Sequence, residues 1–272
     1  MGTSDISARM KEYEKNAKTT LMKRTPVVVR VDGRGFSKFT KKFEKPFDKV
    51  MTKTMQQTMK YLCENIPGCV LGYTQSDEIT LVLVDYDDIN KGVFFDYDVQ
   101  KLCSVIASMC TMSFNRNFAE NVNDLYLSFA GEEIEEEIIK ADAESYLLTH
   151  ERYSKSLWCA MFDCRVFNVP KDDVTNCIYW RQADATRNSI QAAAYANFST
   201  KEIDHKNTSQ MQDMLMLQKG INWNNYPTES KRGSCCIKKN IPGSKRKKWE
   251  IDREIPIFKG DGREYIEKLI NF

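Results

Sequence analysis

Two aspartates stand where the pattern of the chain would let them share a cation. Asp32 ends the run PVVVRVD, and Asp77 sits in QSDE between two β-rich runs. Carboxylates at neighbouring strand ends can bridge two Mg²⁺ ions about 3.5 to 4 Å apart, the spacing that clamps an in-line phosphoryl displacement. Such a reaction asks the protein for position and charge stabilisation rather than covalent chemistry. Magnesium keeps several waters, so a site with two or three oxygen ligands is adequate. A strand-end aspartate by itself is better explained by turn capping; the pair, with DGRG behind one member, favours a site.

The neighbouring residues suit a triphosphate. Gly33 and Gly35, flanking Arg34, would let backbone amides approach phosphate oxygens. Ser76 precedes the second aspartate and can donate to a phosphate or serve the turn, while Glu78 either supports the site from the next strand or is exposed. Lys45, in KKFEKPFD, is a candidate triphosphate ligand or a surface lysine.

These residues depend on a small set of elements. Residues 4–18 have the charge pattern of an amphipathic helix. The run 26–32 is too apolar for a surface strand and is expected inside a sheet. Val50, Met51, Met55, Met59 and Leu62 recur at helical spacing over 47–65, and Pro67-Gly68 stops that helix. Strands are expected at 69–74 and 79–84, joined by Gln75, Ser76, Asp77 and Glu78 as a hairpin turn. A helix over 99–118, a strand within 157–169 and a helix within 170–198 follow. From residue 26 the order is strand-helix-strand-strand-helix-strand, the ferredoxin-like βαββαβ arrangement of an α+β fold with an antiparallel sheet.

Further on, a short helix at 209–219 precedes a C-terminal β-hairpin with strands near 234–239 and 249–253. Its tip would carry Lys245, Arg246, Lys247 and Lys248, which can contact nucleic-acid phosphates independently of sequence or simply be solvated. Residues 131–152 are dense in glutamate (Glu132, Glu133, Glu135, Glu136, Glu137, Glu144, Glu151) and read as a solvated acidic helix. The expected organisation is a single domain over 1–272. It has a core at about 20–200, an acidic insertion at about 131–152 and a C-terminal extension at about 201–272.

Composition excludes several classes. Apolar residues at 42% and charged residues at 29% describe a globular chain rather than a disordered one. A net charge of +2 means that affinity for nucleic acid must come from local clusters. The nine cysteines form no CxxC pair and have only two histidines beside them, so most read as small buried hydrophobes rather than zinc ligands. No apolar leader or spanning run is visible, so a cytoplasmic protein with no membrane partner is expected.

The segments RVDGRGFSKF, KPFD, GYTQSDEITLV, FDCRVFNVP and YWRQAD, in that order, resemble the tRNA-His guanylyltransferase superfamily. The resemblance implies a polymerase-palm-like domain in which Asp32, the Gly33 carbonyl and Asp77 bind two Mg²⁺ ions. It also implies nucleotide contacts at Asp32, Gly33, Arg34, Gly35, Phe36, Ser37, Ser76 and Asp77, with Lys45 on the triphosphate. ATP, GTP or other nucleoside triphosphates are then the substrates, tRNA the partner and a homotetramer the assembly.

After WRQAD the chain reads ATRNSIQ, where eukaryotic members of the family carry His-Ile-Asn-Asn-Leu-Tyr-Asn. This resembles the guanylyltransferase-like branch, which the resemblance links to templated 3′-to-5′ extension and repair of 5′-truncated tRNA. Arg187 and Asn188 on the replacing helix are either RNA contacts or solvated polar groups, and His205 reads as a surface residue. The alternatives are a dedicated guanylyltransferase adding one 5′ guanosine, a palm-fold nucleotidyl cyclase, and a non-catalytic RNA-binding protein.

Overall fold

In the computed structural model, β1 (Val27–Gly33) lies between two antiparallel neighbours, β3 (Glu78–Leu83) and β4 (Phe162–Asn168). Val27, Val29 and Val31 enter one hydrophobic core and Val28 enters another. A strand covered on both faces has no side to leave polar, which is why PVVVRVD shows so little alternation. Residues 3–88, 90, 92–128, 147–244 and 246–271 are described.

The sheet has six strands in the order β4-β1-β3-β2-β5-β6, all paired antiparallel, with β2 at Cys69–Gln75, β5 at Ser234–Asn240 and β6 at Lys247–Asp252. Its first four strands follow the ferredoxin-like order expected from the element pattern. The C-terminal hairpin continues that sheet through a β2–β5 pairing.

The helices are α1 (Thr3–Asn16), α2 (Phe36–Phe39), α3 (Lys49–Asn65), α4 (Val99–Ser128), a stretch at 147–153 (α5), α6 (Val174–Asn197), α7 (Thr200–Ile203), α8 (Thr208–Lys219), α9 (Thr228–Arg232) and α10 (Glu264–Ile270). One sheet face packs on α3 and α4, whose Met55, Met59, Leu62, Ile106, Phe114 and Phe118 are almost completely buried. The opposite face packs on α6 and α10 through Val174, Ile178, Ile266 and Ile270.

Two elements depart from their expected bounds for local reasons. α4 runs ten residues past Phe118, because Val122 remains in the core, Leu125 and Tyr126 pack against it, and nothing in NFAENVNDLYLS breaks a helix. Residues 157–161 do not pair as a strand. The Asn115 side chain supplies what a neighbouring strand would have offered, donating to the Ala160 carbonyl (3.0 Å) and accepting from its N–H (3.1 Å). Of the acidic stretch, 131–146 lies outside the described residues. Its remainder is the start of α5, which ends in Tyr153, a core residue whose hydroxyl donates to Asp48 (2.7 Å).

Candidate functional site

The DGRG segment is held at both sides by its own amides. Gly33 N–H donates to the Asp77 carbonyl (3.1 Å), and Arg34 N–H donates to the Met161 carbonyl (2.9 Å). The first of these bonds ties the end of β1 to the β2–β3 turn, so the Asp32 and Asp77 side chains are positioned from one shared strand end. It also corrects the simple picture of a glycine nest, because two of its amides are already committed. Among the described residues, the N–H groups of Gly35, Phe36 and Ser37 have no acceptor, and these are the ones able to meet phosphate oxygens.

Gly35 takes the left-handed conformation (φ 68°) that starts α2, and Gly33 lies so close to Phe36 that a Cβ would come within 2.3 Å of its ring. That ring is fixed by Phe39, Phe114 and Phe162, at centroid distances of 4.7, 5.6 and 5.0 Å. An aromatic core therefore sets the backbone path beside the first aspartate.

The β2–β3 turn is tighter than the four-residue connection expected, since Gln75 pairs with Glu78 and only Ser76 and Asp77 lie between. Ser76 adopts φ 49°, a conformation costly for a residue with a Cβ, and its hydroxyl donates to Asp77 Oδ1 (3.0 Å). Burial pushes the Asp77 carboxyl above the usual carboxylate range and the Asp32 charge pushes the same way, against the Ser76 hydrogen bond. No lysine or arginine forms an ion pair with Asp32 or Asp77 among the described residues.

Glu78 is not the exposed residue that was one possibility. It is 6% exposed and receives two bonds from Arg181 of α6, Nε to Oε1 and Nη2 to Oε2, both 2.7 Å. Arg181 also reaches Asp184 (3.0 Å), which in turn holds Arg187. Sequence reasoning did not single out Arg181 as a partner of the turn. The signal was present in WRQAD, where Arg and Asp stand three apart on one helix face.

A cavity of about 600 Å³ opens beside this turn, inside the range typical of small-molecule sites. Gly33, Gly35, Phe36, Ser37, Lys45, Ser76 and Asp77 line it, so the structure gathers most of the expected contacts into one place. Lys45 donates to the Thr40 carbonyl (3.3 Å) from an exposed position on the wall. Asp32, half-buried, stands behind Gly33, and Arg34 is exposed beyond the lining. Ala185, Asn188 and Ser189 of α6 form the opposite wall, with Glu229 and Ser234 deeper in.

Among the described residues, no group of three or more His, Cys, Asp or Glu side chains is placed to hold a metal ion. Asp32 and Asp77 with a backbone carbonyl nevertheless form an all-oxygen donor set with uncompensated negative charge. That chemistry fits Mg²⁺ completed by water and phosphate oxygens. The basic hairpin tip is smaller than expected. Lys247 and Lys248 belong to β6, opposite Asn240 and Lys239, and Lys248 lies 3.8 Å from Glu250. The Arg246 carbonyl closes the turn by accepting from Ile241 N–H, and Lys245 lies outside the described residues. All nine cysteines are free, five of them buried. His205 is exposed at the surface. Among the described residues, no helix is long and apolar enough to cross a membrane.

The family model described as tRNAHis guanylyltransferase matches residues 7–170. A bacterial tRNA(His) guanylyltransferase-like protein in complex with ATP superposes with TM-score 0.79 at 38% identity, covering 97% of this chain and 98% of that one. A bacterial guanylyltransferase-like protein in complex with GTP gives 0.75 at 35% identity, covering 98% and 100%. A probable tRNA(His) guanylyltransferase of Dictyostelium discoideum is 26% identical over 263 residues, 92% of this chain and 86% of its own length. The matched stretch runs through β1, the Ser76–Asp77 turn and β4, the elements that build the paired-carboxylate strand end, and the chain belongs to the tRNA-His guanylyltransferase superfamily.

Proposed function

We propose that the chain is a magnesium-dependent nucleotidyltransferase that extends RNA in the 3′-to-5′ direction, adding templated nucleotides to 5′-truncated tRNA. The observation that carries the chemistry is the placement of Asp77 in a nucleotide-sized cavity, with Asp32 at the adjoining strand end. The ATP and GTP bound in the two bacterial relatives support nucleoside triphosphates as the substrates.

Asp32, the Gly33 carbonyl and Asp77 would hold two Mg²⁺ ions, which when bound neutralise the triphosphate and make an attacking hydroxyl more acidic. The chain's own residues do the positioning. The Gly35, Phe36 and Ser37 amides face the phosphates, Lys45 adds a cation on the wall, and Ser76 holds the Asp77 carboxylate in one orientation. The reaction has two parts. A triphosphate first activates the 5′-monophosphate of the RNA with loss of pyrophosphate. The 3′-hydroxyl of an incoming nucleotide then attacks the activated phosphate and displaces the nucleotide added first.

Templated addition is favoured by the wall of α6. Ala185, Asn188 and Ser189, from the segment that replaces the motif of the dedicated branch, and Ala192 just after it present small neutral groups to the cavity. The test is incubation with Mg²⁺, labelled nucleoside triphosphates and 5′-monophosphorylated tRNA lacking its first nucleotides. Lengthening set by the opposing base is expected. A single guanosine added to tRNA-His whatever the opposing base would replace this reading with the dedicated one. Light scattering checks the homotetramer that accompanies it.

A further inference from the structure

A second cavity, of about 370 Å³, lies on the far side of the wall made by α6 and α9. α6 turns Ala185, Asn188 and Ser189 to the first cavity and Tyr179, Gln182 and Thr186 to the second. α9 and the residue after it give Glu229, Ser230 and Gly233 to the first, and Lys231 and Arg232 to the second. Ala183, Trp223, Asn224 and Ile257 complete the second lining, which contains no carboxylate.

Its polar groups divide into those already used and those left over. Gln182 is spent on the fold, donating to the Pro256 carbonyl (2.8 Å) and accepting from Phe258 N–H (2.9 Å). Trp223 donates through Nε1 to Ser189 (3.1 Å), which leaves its ring to line the space. Lys231 Nζ lies 5.9 Å from that ring and uses one proton on the Asn224 carbonyl (2.6 Å). Arg232 Nε is buried and has no hydrogen-bond partner among the described residues. A buried guanidinium nitrogen without an acceptor leaves this cation uncompensated within the protein, and a guanidinium lining a cavity matches phosphate oxygens through its planar fork.

We propose that this cavity binds one nucleotide unit, its phosphate held by Lys231 and Arg232 and its base against the Trp223 and Tyr179 rings. Aromatic faces beside unpaired cations are the arrangement that grips single-stranded nucleic acid without reading its sequence. The unit comes either from an RNA strand passing behind the catalytic cavity or from a free mononucleotide. The proposal does not rest on the reaction argued above.

The test compares the wild-type chain with the double variant Lys231→Gln/Arg232→Gln, titrated in EDTA with a labelled single-stranded oligoribonucleotide and, separately, with AMP. Loss of roughly tenfold or more in oligonucleotide affinity, with a shallower salt dependence, assigns the site to RNA. The same loss for AMP as well assigns it to a free nucleotide. Tyr179→Leu gives the second measurement, a loss of roughly tenfold from the missing stacking face with the salt slope unchanged. Unchanged affinity for both probes in the double variant overturns the proposal. Magnesium-dependent ATP binding at the first cavity is retained in every variant and shows that the fold is intact.

Discussion

Arg181 holds Glu78 by two parallel bonds of 2.7 Å, one residue away from Asp77. Both side chains are at least nine-tenths buried, so the turn that carries the second aspartate is braced from α6 by a charge pair shielded from water. Removing one member of such a pair strands the other, at a cost of about 3–5 kcal/mol. Arg181→Ala is therefore expected to lose stability of that order in urea unfolding. Arg181→Met with Glu78→Met is expected to recover most of it. If the double variant also transferred nucleotides at the wild-type rate, the pair would brace the core without serving the turn.

Asp77 is expected to oppose folding while serving function. Its folded pKa is raised by burial and by the Asp32 charge. For an acid shifted upward, the stability contribution is complete at low pH and lost as pH rises through the folded value. At neutral pH, with no metal bound, the ionised carboxylate is a cost. Asp77→Asn should then raise the Tm of the metal-free protein at neutral pH, and the gain should shrink toward acid pH. Magnesium should raise the Tm of the wild type and leave Asp77→Asn unmoved, and nucleotide transfer by the variant should fall by about three orders of magnitude. A metal-induced shift in the variant equal to the wild-type one would remove Asp77 from the site.

Gly33 and Gly35 separate two reasons for glycine. Gly33→Ala drives a methyl against the Phe36 ring, which its aromatic neighbours keep from moving. Overpacking of this kind costs about 1–3 kcal/mol, and the displaced α2 start should raise the KM for nucleotide. Gly35→Ala meets open space but keeps φ 68°, so about 1–2 kcal/mol of backbone strain is expected. Equal losses of nucleotide affinity in the two variants would refute the close-approach explanation for Gly33.

Ser76 offers a finer comparison. Both Ser76→Gly and Ser76→Ala lose the bond to Asp77 Oδ1, but the glycine relieves the left-handed strain and the alanine retains it. The glycine variant should equal or exceed wild-type stability, whereas the alanine variant should lose about 1 kcal/mol. A glycine variant with a denaturant midpoint clearly below the wild type would show that the hydroxyl contact outweighs the strain.

Much of the fold was readable because it rests on short-range patterns. Helical spacing placed α3, a continuous valine run placed β1 inside the sheet, and QSDE between two β-rich runs placed the turn. The element order then left few ways to pair four antiparallel strands. The end of α4 is not legible, because a periodic helix with no breaker shows no stop. The strand character of residues 157–161 does not become pairing, because Asn115, forty-five positions from Ala160, takes the place of a strand partner. α10 went unseen because seven residues carry too little periodicity to separate from a loop.

By itself the sequence determined the chemical types at the site, the two aspartates, the glycines between them and the lysine in KKFEKPFD, and the strand ends on which the aspartates sit. Those follow from residue identity and from periodicities of two and 3.6, which act over a few residues. Only the tertiary structure decided that Gly33 and Arg34 amides are spent on protein carbonyls, that Glu78 is buried under Arg181, and that Lys247 and Lys248 lie in a strand rather than at a tip. It also decided that α6 and α9 each turn one side to the first cavity and another to a second. Apart from the register of the β5–β6 hairpin, which is set within the hairpin itself, each of these depends on a partner tens of residues or more away, and such contacts are set by how the sheet and helices pack.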